Sequence, residues 1–500
     1  MTSRLQRGIN NQIQVYRFQD WDQFWGTVAT CSADHQCTQV QYLGRYLRMM
    51  KAETLVVESH YIDRHYMDEF ASYYARKRGA PPNYCQRVHL FSETMEGERS
   101  FDDRLREAAS DEKGLERVQQ ELNDCYLGYI VIRPVDNAPI GRTVLRPWHD
   151  KPERHFPTSV EYVVHLAGLR LKINGLAFQQ QDQAVAACAT TAVWSALQCI
   201  CRRDGGHAPT PSAITEAAVR HLLVGGRPYP SEGLTVEQIS ESLRQYGYAP
   251  VLFRVADPPQ EFQFLLNIYL RSGIPVILGL HKTGDNHIGH AVTVVGYEAK
   301  GEFLGLGQIN ADFMNVVSAN LASDKIYIHD DRLGPYARAR LQVTDKDLAL
   351  TMELPNGADE SWKIGIGIVP LYEKMRATGE ELFKEAAGRG LPFIKLITVP
   401  KSTPIGLTLF FQRAGEYQQS LFRSALDAER LTRFQKNAAL SRYVGIARWS
   451  VNGRTIMDTA WDTTDRIKIS GGSFIGAVCY DAVHYKHADW LADHWNGIAG

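Results

Sequence analysis

The order of helical and strand-like segments in the middle of the chain constrains its fold most. Three helices are predicted first, over residues 186–203, 231–247 and 259–273. Three strand-sized apolar runs follow, over residues 274–280, 291–297 and 324–330. Helices that precede a mostly antiparallel run of strands predict an α+β fold rather than a parallel sheet with alternating helices.

Three regions are expected along the chain, because 500 residues correspond to about two to four domains. Residues 1–150 are predicted to form an N-terminal α+β domain of unknown role. Residues 155–350 form the middle domain, after a polar boundary stretch at 147–157. Residues 351–500 form a C-terminal α+β domain, which has its own core or packs on the middle domain.

The two outer regions give local predictions. In the N-terminal region, residues 126–134 and 141–147 flank a turn and predict a strand–turn–strand unit. In the C-terminal region, residues 362–375 are interpreted as a strand followed by the start of a helix, and residues 417–435 as one helix. Residues 391–400 are predicted to form a further strand.

Composition excludes several classes of protein. Lys and Arg number 55 and Asp and Glu number 56, so there is no general charge excess that would attract nucleic acid. No apolar run approaches the length of a membrane span, so no membrane contact is expected. Eight cysteines in 500 residues are too sparse for a disulfide scaffold, so reduced thiols and a cytoplasmic location are the default expectation. No CxxC pair occurs, so no structural zinc site is expected.

Cys188 is the first residue that suggests chemistry. It follows a polar loop and begins a predicted helix, and the free N–H groups at a helix N-terminus favour a thiolate. The same N–H groups can bind an oxyanion, and Gln181 or Gln183 lies close enough along the chain to add a side-chain donor. A lone cysteine in such a helix is more often a small buried apolar residue.

His290 is the second residue. It directly follows a glycine and begins an apolar strand, which places it at a strand mouth next to solvent. Apolar residues on the same strand face desolvate its ring, which could take the Cys188 proton. His287 is the local competitor. A single histidine at such a position is more often structural, so the interpretation depends on its combination with Cys188.

An acidic pair supplies the third element. Asp330 ends a short strand, and Asp331 begins the turn that follows it. A carboxylate there can accept the second imidazole N–H and fix the tautomer, for which Asp330 is the first choice and Asp331 the alternative. Capping of the turn is the structural explanation for either residue.

Taken together, these motifs resemble the papain-like cysteine peptidases, in particular the C39-like group that processes bacteriocins. The resemblance covers about residues 160–350 and rests on CATTAVWSAL, GIPVILGL…GHAVTVVGY and YIHDDRLGPY. It implies a helical lobe with Cys188 as nucleophile and an antiparallel β lobe with His290 as base and Asp330 as orienting acid. The family's oxyanion glutamine lies six residues before the cysteine, where this chain has Asp182, so Gln181 and Gln183 both stay candidates.

The resemblance implies a cysteine peptidase or isopeptidase that forms a thioester acyl-enzyme and acts on a protein or peptide. It needs no metal or organic cofactor. The same triad would also serve an acyltransferase, a transglutaminase or a deamidase, and a papain-like domain can also be a silent binding module. The sequence leaves the substrate and the oligomeric state open.

Three further motifs are interpreted as structural. HYIDRHY at 60–66 has two histidines and an aspartate, but their spacing fits a metal site poorly. Arg133 and Arg142 flank the strand–turn–strand unit and are interpreted as a solvated edge, with binding of a carboxylate or phosphate as the alternative. DTTD at 462–465 is interpreted as a turn with capping side chains.

Overall fold

The computed structural model describes residues 12–19, 21–28, 37–182, 187–220, 233–256, 258–282, 289–299, 308–311, 314–318, 324–344, 347–390, 405–424, 428–464 and 474–480. Helices and strands are mixed, which confirms the predicted α+β class. None of the helices within these ranges is both long and apolar enough to span a membrane. The strands form a five-stranded sheet, an eight-stranded sheet, a six-stranded sheet and a two-stranded hairpin.

The N-terminal sheet is antiparallel and its strands follow the order of the chain. Its strands are β1 (Ile13–Arg17), β2 (Thr54–Tyr61), β3 (Cys85–Phe91), β4 (Tyr126–Ile132) and β5 (Ile140–Leu145). The accompanying helices are α1 (Trp21–Val28), α2 (Thr38–Met49), α3 (Arg64–Ser72), α4 (Phe101–Ala108) and α5 (Glu112–Cys125). Every residue of β3 and β4 is buried, so both faces of the sheet are covered there. The antiparallel pairing of β4 with β5 confirms the predicted strand–turn–strand unit.

A short connection leads from this sheet to the middle of the chain. It contains β6 (Arg154–His155) and the hairpin of β7 (Val160–Leu166) and β8 (Leu169–Gly175). Buried and exposed residues alternate along β8, so one face of the hairpin packs inward and the other meets solvent. The hairpin turn uses Ala167 and Gly168, both with positive φ, as a two-residue turn between twisted strands requires.

Four helices and one strand follow among the described residues. They are α6 (Cys188–Arg203), α7 (Pro211–Val219), α8 (Val236–Gln245), β9 (Tyr248–Arg254) and α9 (Gln260–Arg271). The start of α7 is fixed by a Thr210 cap and by Pro211 in its first turn, and α8 begins with a capping box. Helix α6 has no Gly or Pro, and almost all of its residues are buried, so it is the central helix of the molecule.

Six antiparallel strands form a closed barrel beside α6. They are β10 (Val276–His281), β11 (His290–Glu298), β14 (Lys325–Asp330), β15 (Gly334–Val343), β16 (Leu348–Glu353) and β17 (Asp359–Tyr372). Each strand pairs with the next one, and β10 also pairs with β17, which closes the circle. Strand β9 extends the sheet from β17, and β6 pairs with β11. The barrel therefore continues past residue 350, where the sequence analysis ended the middle domain.

The C-terminal sheet has six strands in the part of the chain that the structure describes. They are β12 (Gln308–Ala311), β13 (Met314–Ser318), β18 (Ile405–Arg413), β19 (Tyr443–Val451), β20 (Arg454–Asp462) and β21 (Phe474–Cys479). Strands β12 and β13 come from the segment between β11 and β14, and β13 lies parallel to β18. The helices α10 (Gly379–Glu385), α11 (Ala414–Leu421) and α12 (Ala428–Asn437) accompany this sheet.

Two local predictions for the C-terminal region are wrong. Residues 362–375 contain no helix start, because β17 continues extended through Pro370 to Tyr372 and pairs there with β9. Residues 417–435 are not one helix, because α11 ends at Leu421 and α12 begins only at Ala428. The strand predicted at 391–400 lies outside the described residues.

Candidate active site

Cys188 is the first residue of α6. The preceding residue, Ala187, is extended and provides no side-chain cap, so the first N–H groups of the helix remain available to a ligand. The thiol is half-buried and is not part of a disulfide. This position gives Cys188 both access from solvent and backbone donors beside its sulfur.

The packing of β11 against α6 brings His290 to the thiol. Thr293 Oγ1 donates a hydrogen bond of 2.8 Å to the backbone carbonyl of Ala192, which fixes the strand against the helix near its N-terminus. His290 is the first residue of β11 and is 3% exposed. Its ring is near enough to the Cys188 side chain for a hydrogen-bond interaction with the thiol to raise the pKa of His290.

Asp330 lies on the other side of the imidazole. It is the last residue of β14, which is antiparallel to β11, so the end of one strand meets the beginning of the other. Its buried Oδ1 lies 3.0 Å from His290 Nε2. This contact occupies Nε2 and leaves Nδ1 as the ring nitrogen for the Cys188 thiol.

These contacts determine the protonation states of His290 and Asp330. Burial alone would lower the pKa of His290, but the charge and hydrogen bond of Asp330, the hydrogen bond to Cys188 and the charge of Asp331 raise it to about 10. Burial acts to raise the pKa of Asp330. The charge and hydrogen bond of His290, together with the nearby Arg332, outweigh the effect of burial, so the pKa of Asp330 is lowered. The arrangement thus favours an imidazolium next to a carboxylate.

Asp331 is close to the same ring but is held differently. Its Oδ1 lies 3.9 Å from His290 Nε2, beyond hydrogen-bond length, and has no hydrogen-bond partner among the described residues. Burial raises the pKa of Asp331 to about 7, and the charge of His290 opposes this only in part. Its backbone carbonyl accepts a hydrogen bond of 2.9 Å from Gln39 of α2.

Arg332 and Trp362 lie against the His290 ring. The sequence analysis did not select either residue as part of the candidate site. Arg332 Nε lies 3.2 Å from His290 Nε2, and its Nη2 lies 3.0 Å from Glu360 Oε2. The guanidinium carbon is 4.9 Å from the centre of the Trp362 ring, and the His290 ring is 5.7 Å from it. Arg332 directly follows Asp330 and Asp331 in the sequence, so a place near the candidate site could have been predicted for it. Trp362 comes from the distant strand β17, and nothing in the local sequence indicates its place.

The glutamine segment before Cys188 is held by the N-terminal domain. Gln179 Nε2 donates to Glu69 Oε1 at 2.7 Å, and the backbone carbonyl of Gln180 accepts from Arg133 at 3.1 Å. Asp182 accepts a hydrogen bond from the Tyr74 hydroxyl. Of the two candidate oxyanion glutamines, Gln181 is half-buried and its side chain makes no hydrogen bond within the described ranges. Gln183 lies outside the described residues, as does His287, the alternative base.

Glu69 and Arg133 form a buried ion pair behind this segment. Arg133 Nη1 lies 2.9 Å from Glu69 Oε2, and both side chains are 1% exposed. Arg133 also donates to the backbone carbonyls of Ala138 and Ile140. Arg142 is half-buried, with 17% of its side chain exposed, and lies 2.8 Å from Asp63. The interpretation as a solvated edge is therefore wrong for Arg133, and each of the two arginines forms an ion pair with a carboxylate of the chain itself.

A cleft of about 680 Å³ opens between the N-terminal domain and the acidic turn. On the barrel side it is lined by Gln181, Asp331 and Arg332. On the N-terminal side it is lined by Tyr73, Tyr74, Lys77, Pro81, Pro82 and Pro134, among others. Tyrosine and proline faces offer apolar contact with little side-chain entropy to lose, which suits an extended peptide.

The motifs at 60–66 and 462–465 make contacts that stabilise local structure. In the 60–66 segment, Asp63 caps α3 and His65 accepts a hydrogen bond of 3.2 Å from Trp194 Nε1. Asp462 accepts hydrogen bonds from the Thr464 N–H and hydroxyl, as in the predicted capped turn; Asp465 lies outside the described residues.

One group of side chains in the described part of the chain has the spacing for a metal ion. His290, Asp330 and Asp331 each offer a ligand atom, and these atoms lie within 4.8 Å of one another. The Arg332 guanidinium, however, lies against the same histidine nitrogen and the Asp330 carboxylate, and this positive charge opposes a dication there.

A search of the sequence against known protein-family models and against curated proteins finds no match. The arrangement of side chains therefore carries the functional argument.

Proposed function

We propose that the chain is a cysteine peptidase or isopeptidase with a papain-like arrangement of its middle region. The observation that carries the proposal is the position of His290, which interacts with Cys188 at the N-terminus of α6 and lies 3.0 Å from the buried Asp330. The helices α6–α9 would form the lobe that bears the nucleophile, and the barrel would form the lobe that bears the base. The order of the three residues along the chain agrees with the resemblance in the sequence.

The proposed reaction begins with transfer of the Cys188 proton to His290. The sulfur then attacks the substrate carbonyl carbon, and the carbonyl oxygen becomes an oxyanion as the carbon becomes tetrahedral. The Cys188 N–H at the uncapped helix end and the Gln181 side chain would donate to this oxygen. Asp330 keeps the His290 ring oriented and stabilises its positive charge.

Collapse of the tetrahedral intermediate breaks the carbon–nitrogen bond. His290 gives its proton to the departing amine, and the acyl group stays on Cys188 as a thioester. A water molecule then attacks the thioester, with His290 as general base, and the acid and the free thiol are released.

The acceptor of the acyl group defines the alternatives. An amine in place of water would make the protein a transglutaminase or acyltransferase, and a side-chain amide as substrate would make it a deamidase. Product mass separates them, because hydrolysis adds water across the bond and transfer joins two molecules. A silent binding module is the remaining alternative, and the close contact of all three groups weighs against it.

The first experiment tests the thiol. The intact protein is treated with iodoacetamide at pH 6, and the label is located by peptide mass spectrometry in the wild type, Cys188→Ala and His290→Ala. Cys37 is an internal comparison, because it is also half-buried and is the N-cap residue of α2. If Cys188 is labelled faster than Cys37 and this difference is lost in His290→Ala, the result supports a thiolate–imidazolium pair of Cys188 and His290. Equally slow labelling of both cysteines contradicts such a pair.

The second experiment tests acyl transfer without a known substrate. p-Nitrophenyl acetate is a small acyl donor, and its reaction releases a coloured leaving group in a burst equal to the number of active sites. We expect the burst and an acetyl adduct on Cys188 in the wild type and in Cys37→Ala, and neither in Cys188→Ala. An adduct-free Cys188 in folded wild-type protein would favour the binding module.

A further inference from the structure

A small aromatic pocket lies between α2 of the N-terminal domain and the barrel strands β14, β15 and β16. Its volume is about 100 Å³. One face of α2 contributes positions 42, 45, 46 and 49, which are three or four residues apart as neighbours on a helix surface are. Most of the wall is aromatic, and its rings belong to Tyr42, Tyr46, Trp148, Phe156, Tyr327 and Tyr336.

The four tyrosines of this pocket already use their hydroxyl groups within the protein. Each donates a hydrogen bond, with donor–acceptor distances of 2.8–3.2 Å. Three of the acceptors are backbone carbonyl oxygens, and the fourth is the Glu298 carboxylate. A ligand in the pocket therefore meets aromatic rings and no tyrosine hydroxyl hydrogen that lacks an acceptor. Such a wall suits another ring, because aromatic rings pack on one another at offset or edge-to-face angles.

Tyr336 is held in an unusual backbone conformation. Its φ is 56°, in the left-handed region that bulky residues rarely adopt. Its hydroxyl oxygen accepts a hydrogen bond of 2.7 Å from the Leu176 N–H. Its ring centre lies 6.1 Å from that of Tyr46, and the two ring planes are 22° apart. Backbone strain of this kind clusters at sites that bind ligands, where the surrounding structure fixes a side chain in one position.

Two arginines at the rim of the pocket have no carboxylate partner within the described residues. Arg45 donates to the backbone carbonyl of Pro355, and the guanidinium carbon of Arg338 lies 4.9 Å from the centre of the Trp148 ring. Both arginine side chains are exposed. A carbonyl or an aromatic ring orients a guanidinium but does not cancel its charge, so both arginines remain able to bind an anion.

One carboxylate completes the rim. Glu353 is exposed at the end of β16 and forms no ion pair with any residue that the structure describes. Burial raises the pKa of Tyr42, and the charges of the two rim arginines and of Glu353 also act on it, so all three charges surround one side chain of the wall. Arg154 also lines the pocket, but it is buried and paired with Asp150. The rim thus offers two cationic groups and one anionic group.

We propose that this pocket binds a free aromatic α-amino acid. The ring of the amino acid occupies the aromatic cavity, its carboxylate binds the two rim arginines, and its ammonium group binds Glu353. An apolar cavity of about 150 Å³ holds a benzene molecule, so a volume of about 100 Å³ leaves room for one ring at most. Apolar walls with a few convergent polar groups are typical of sites for small ligands.

The proposed pocket is separate from the candidate active site. Tyr327 lies three residues before Asp330 on β14, which is about 10 Å along the strand. The pocket shares no lining residue with the cleft that contains Asp331. Binding of an amino acid can therefore be measured whether or not the chain is a peptidase, and the result does not depend on the proposed function.

The test uses the full-length protein and isothermal titration calorimetry with four small molecules. L-Phenylalanine carries all three groups, 3-phenylpropionate lacks the ammonium, 2-phenylethylamine lacks the carboxylate, and L-leucine lacks the ring. The variants are Arg338→Gln and Glu353→Gln. The matched control is Arg340→Gln, because Arg340 is an exposed arginine two residues further along β15 that does not line the pocket. Thermal unfolding establishes that all the proteins are folded.

We expect phenylalanine to bind at least tenfold more tightly than 2-phenylethylamine and leucine, and about threefold or more tightly than 3-phenylpropionate. Arg338→Gln should weaken the binding of phenylalanine and of 3-phenylpropionate by about fivefold or more, whereas Glu353→Gln should weaken that of phenylalanine alone. Arg340→Gln should bind as the wild type does. The proposal is overturned if phenylalanine does not bind, if any of the other three molecules binds as tightly, if Glu353→Gln weakens neither molecule, or if Arg338→Gln and Arg340→Gln behave alike.

Discussion

Arg332 Nε lies 3.2 Å from His290 Nε2, the same ring nitrogen that lies 3.0 Å from Asp330 Oδ1. A nitrogen that carries a proton towards Asp330 cannot also accept one from Arg332. The Arg332 contact is therefore compatible only with a ring whose Nε2 is unprotonated, whereas the Asp330 contact favours the protonated one. Asp330 therefore favours the protonated form of His290, and Arg332 disfavours it.

Arg332→Gln is expected to raise the pKa of His290. A guanidinium beside the ring disfavours the imidazolium, so its removal leaves the charge of Asp330 less opposed. The titration of His290 can be followed by NMR in histidine-labelled Cys188→Ala protein, with the signal assigned by its loss in His290→Ala. Lys363→Gln is the control, since Lys363 is next to Trp362 in β17 but pairs with Asp347. A lower or unchanged pKa in Arg332→Gln would show that the arginine does not compete for the ring.

Substitution of the two aspartates separates their roles. In Asp330→Asn the imidazole remains buried but loses its carboxylate partner, so the pKa of His290 falls. Iodoacetamide labelling of Cys188 at pH 6 is then expected to slow at least tenfold, which corresponds to about 1.4 kcal/mol. In Asp331→Asn the rate should stay within about twofold of wild type. Asp331 has a pKa of about 7, so at pH 6 its carboxyl is mostly protonated and asparagine resembles it.

The opposite ranking of these two variants would identify Asp331 as the partner of the histidine. Labelling of Cys37 in the same samples controls for reagent and exposure, because Cys37 is the N-cap residue of α2 and is measured in the same digest. Circular dichroism with thermal unfolding distinguishes a slower reaction from a damaged fold, since Asp330 is fully buried and also accepts the N–H of Arg332.

Much of the local layout around the candidate site is predictable from sequence. The helix that begins at Cys188 has regular apolar spacing without Gly or Pro, and the strand that begins at His290 is a short uninterrupted apolar run. An aspartate at the end of the next apolar run then falls beside the histidine, because antiparallel neighbours bring a strand start to a strand end. Such inferences need only local pattern and one topological rule.

The parts that could not be predicted depend on contacts between distant segments. Nothing in residues 359–372 indicates that β17 pairs with β10 and closes the barrel, since the same apolar pattern fits many partners. Likewise, Arg133 follows a strand and precedes proline, which is typical of an exposed edge. Its burial depends on Glu69, 64 residues earlier, and on the backbone of Gln180, 47 residues later.

Arg133→Met is expected to lower the free energy of unfolding by about 3 kcal/mol or more. Methionine keeps a similar volume, but Glu69 loses its cation and the carbonyls of Ala138, Ile140 and Gln180 lose a buried donor. Urea denaturation measures the change. Arg106→Met is the control, since Arg106 is exposed and its solvent-screened ion pair with Asp103 should contribute little to stability. Equal losses in the two variants would mean that the buried ion pair does not stabilise the fold.

Gln181→Ala is expected to separate the two reactions of Cys188. Alkylation by iodoacetamide forms no oxyanion, so its rate should match the wild type. Acylation by p-nitrophenyl acetate passes through a tetrahedral oxyanion, and loss of one side-chain donor should slow it about 10²–10³-fold. Gln183→Ala is the matched comparison, since Gln183 is the other candidate from the sequence. Gln179, Gln180 and Asp182 all hydrogen-bond to the N-terminal domain. Gln181, which lines the cleft together with Gln180 and Asp182, has no side-chain hydrogen bond within the described residues and is therefore the candidate donor. Slow acylation in Gln183→Ala with normal acylation in Gln181→Ala would reverse that assignment.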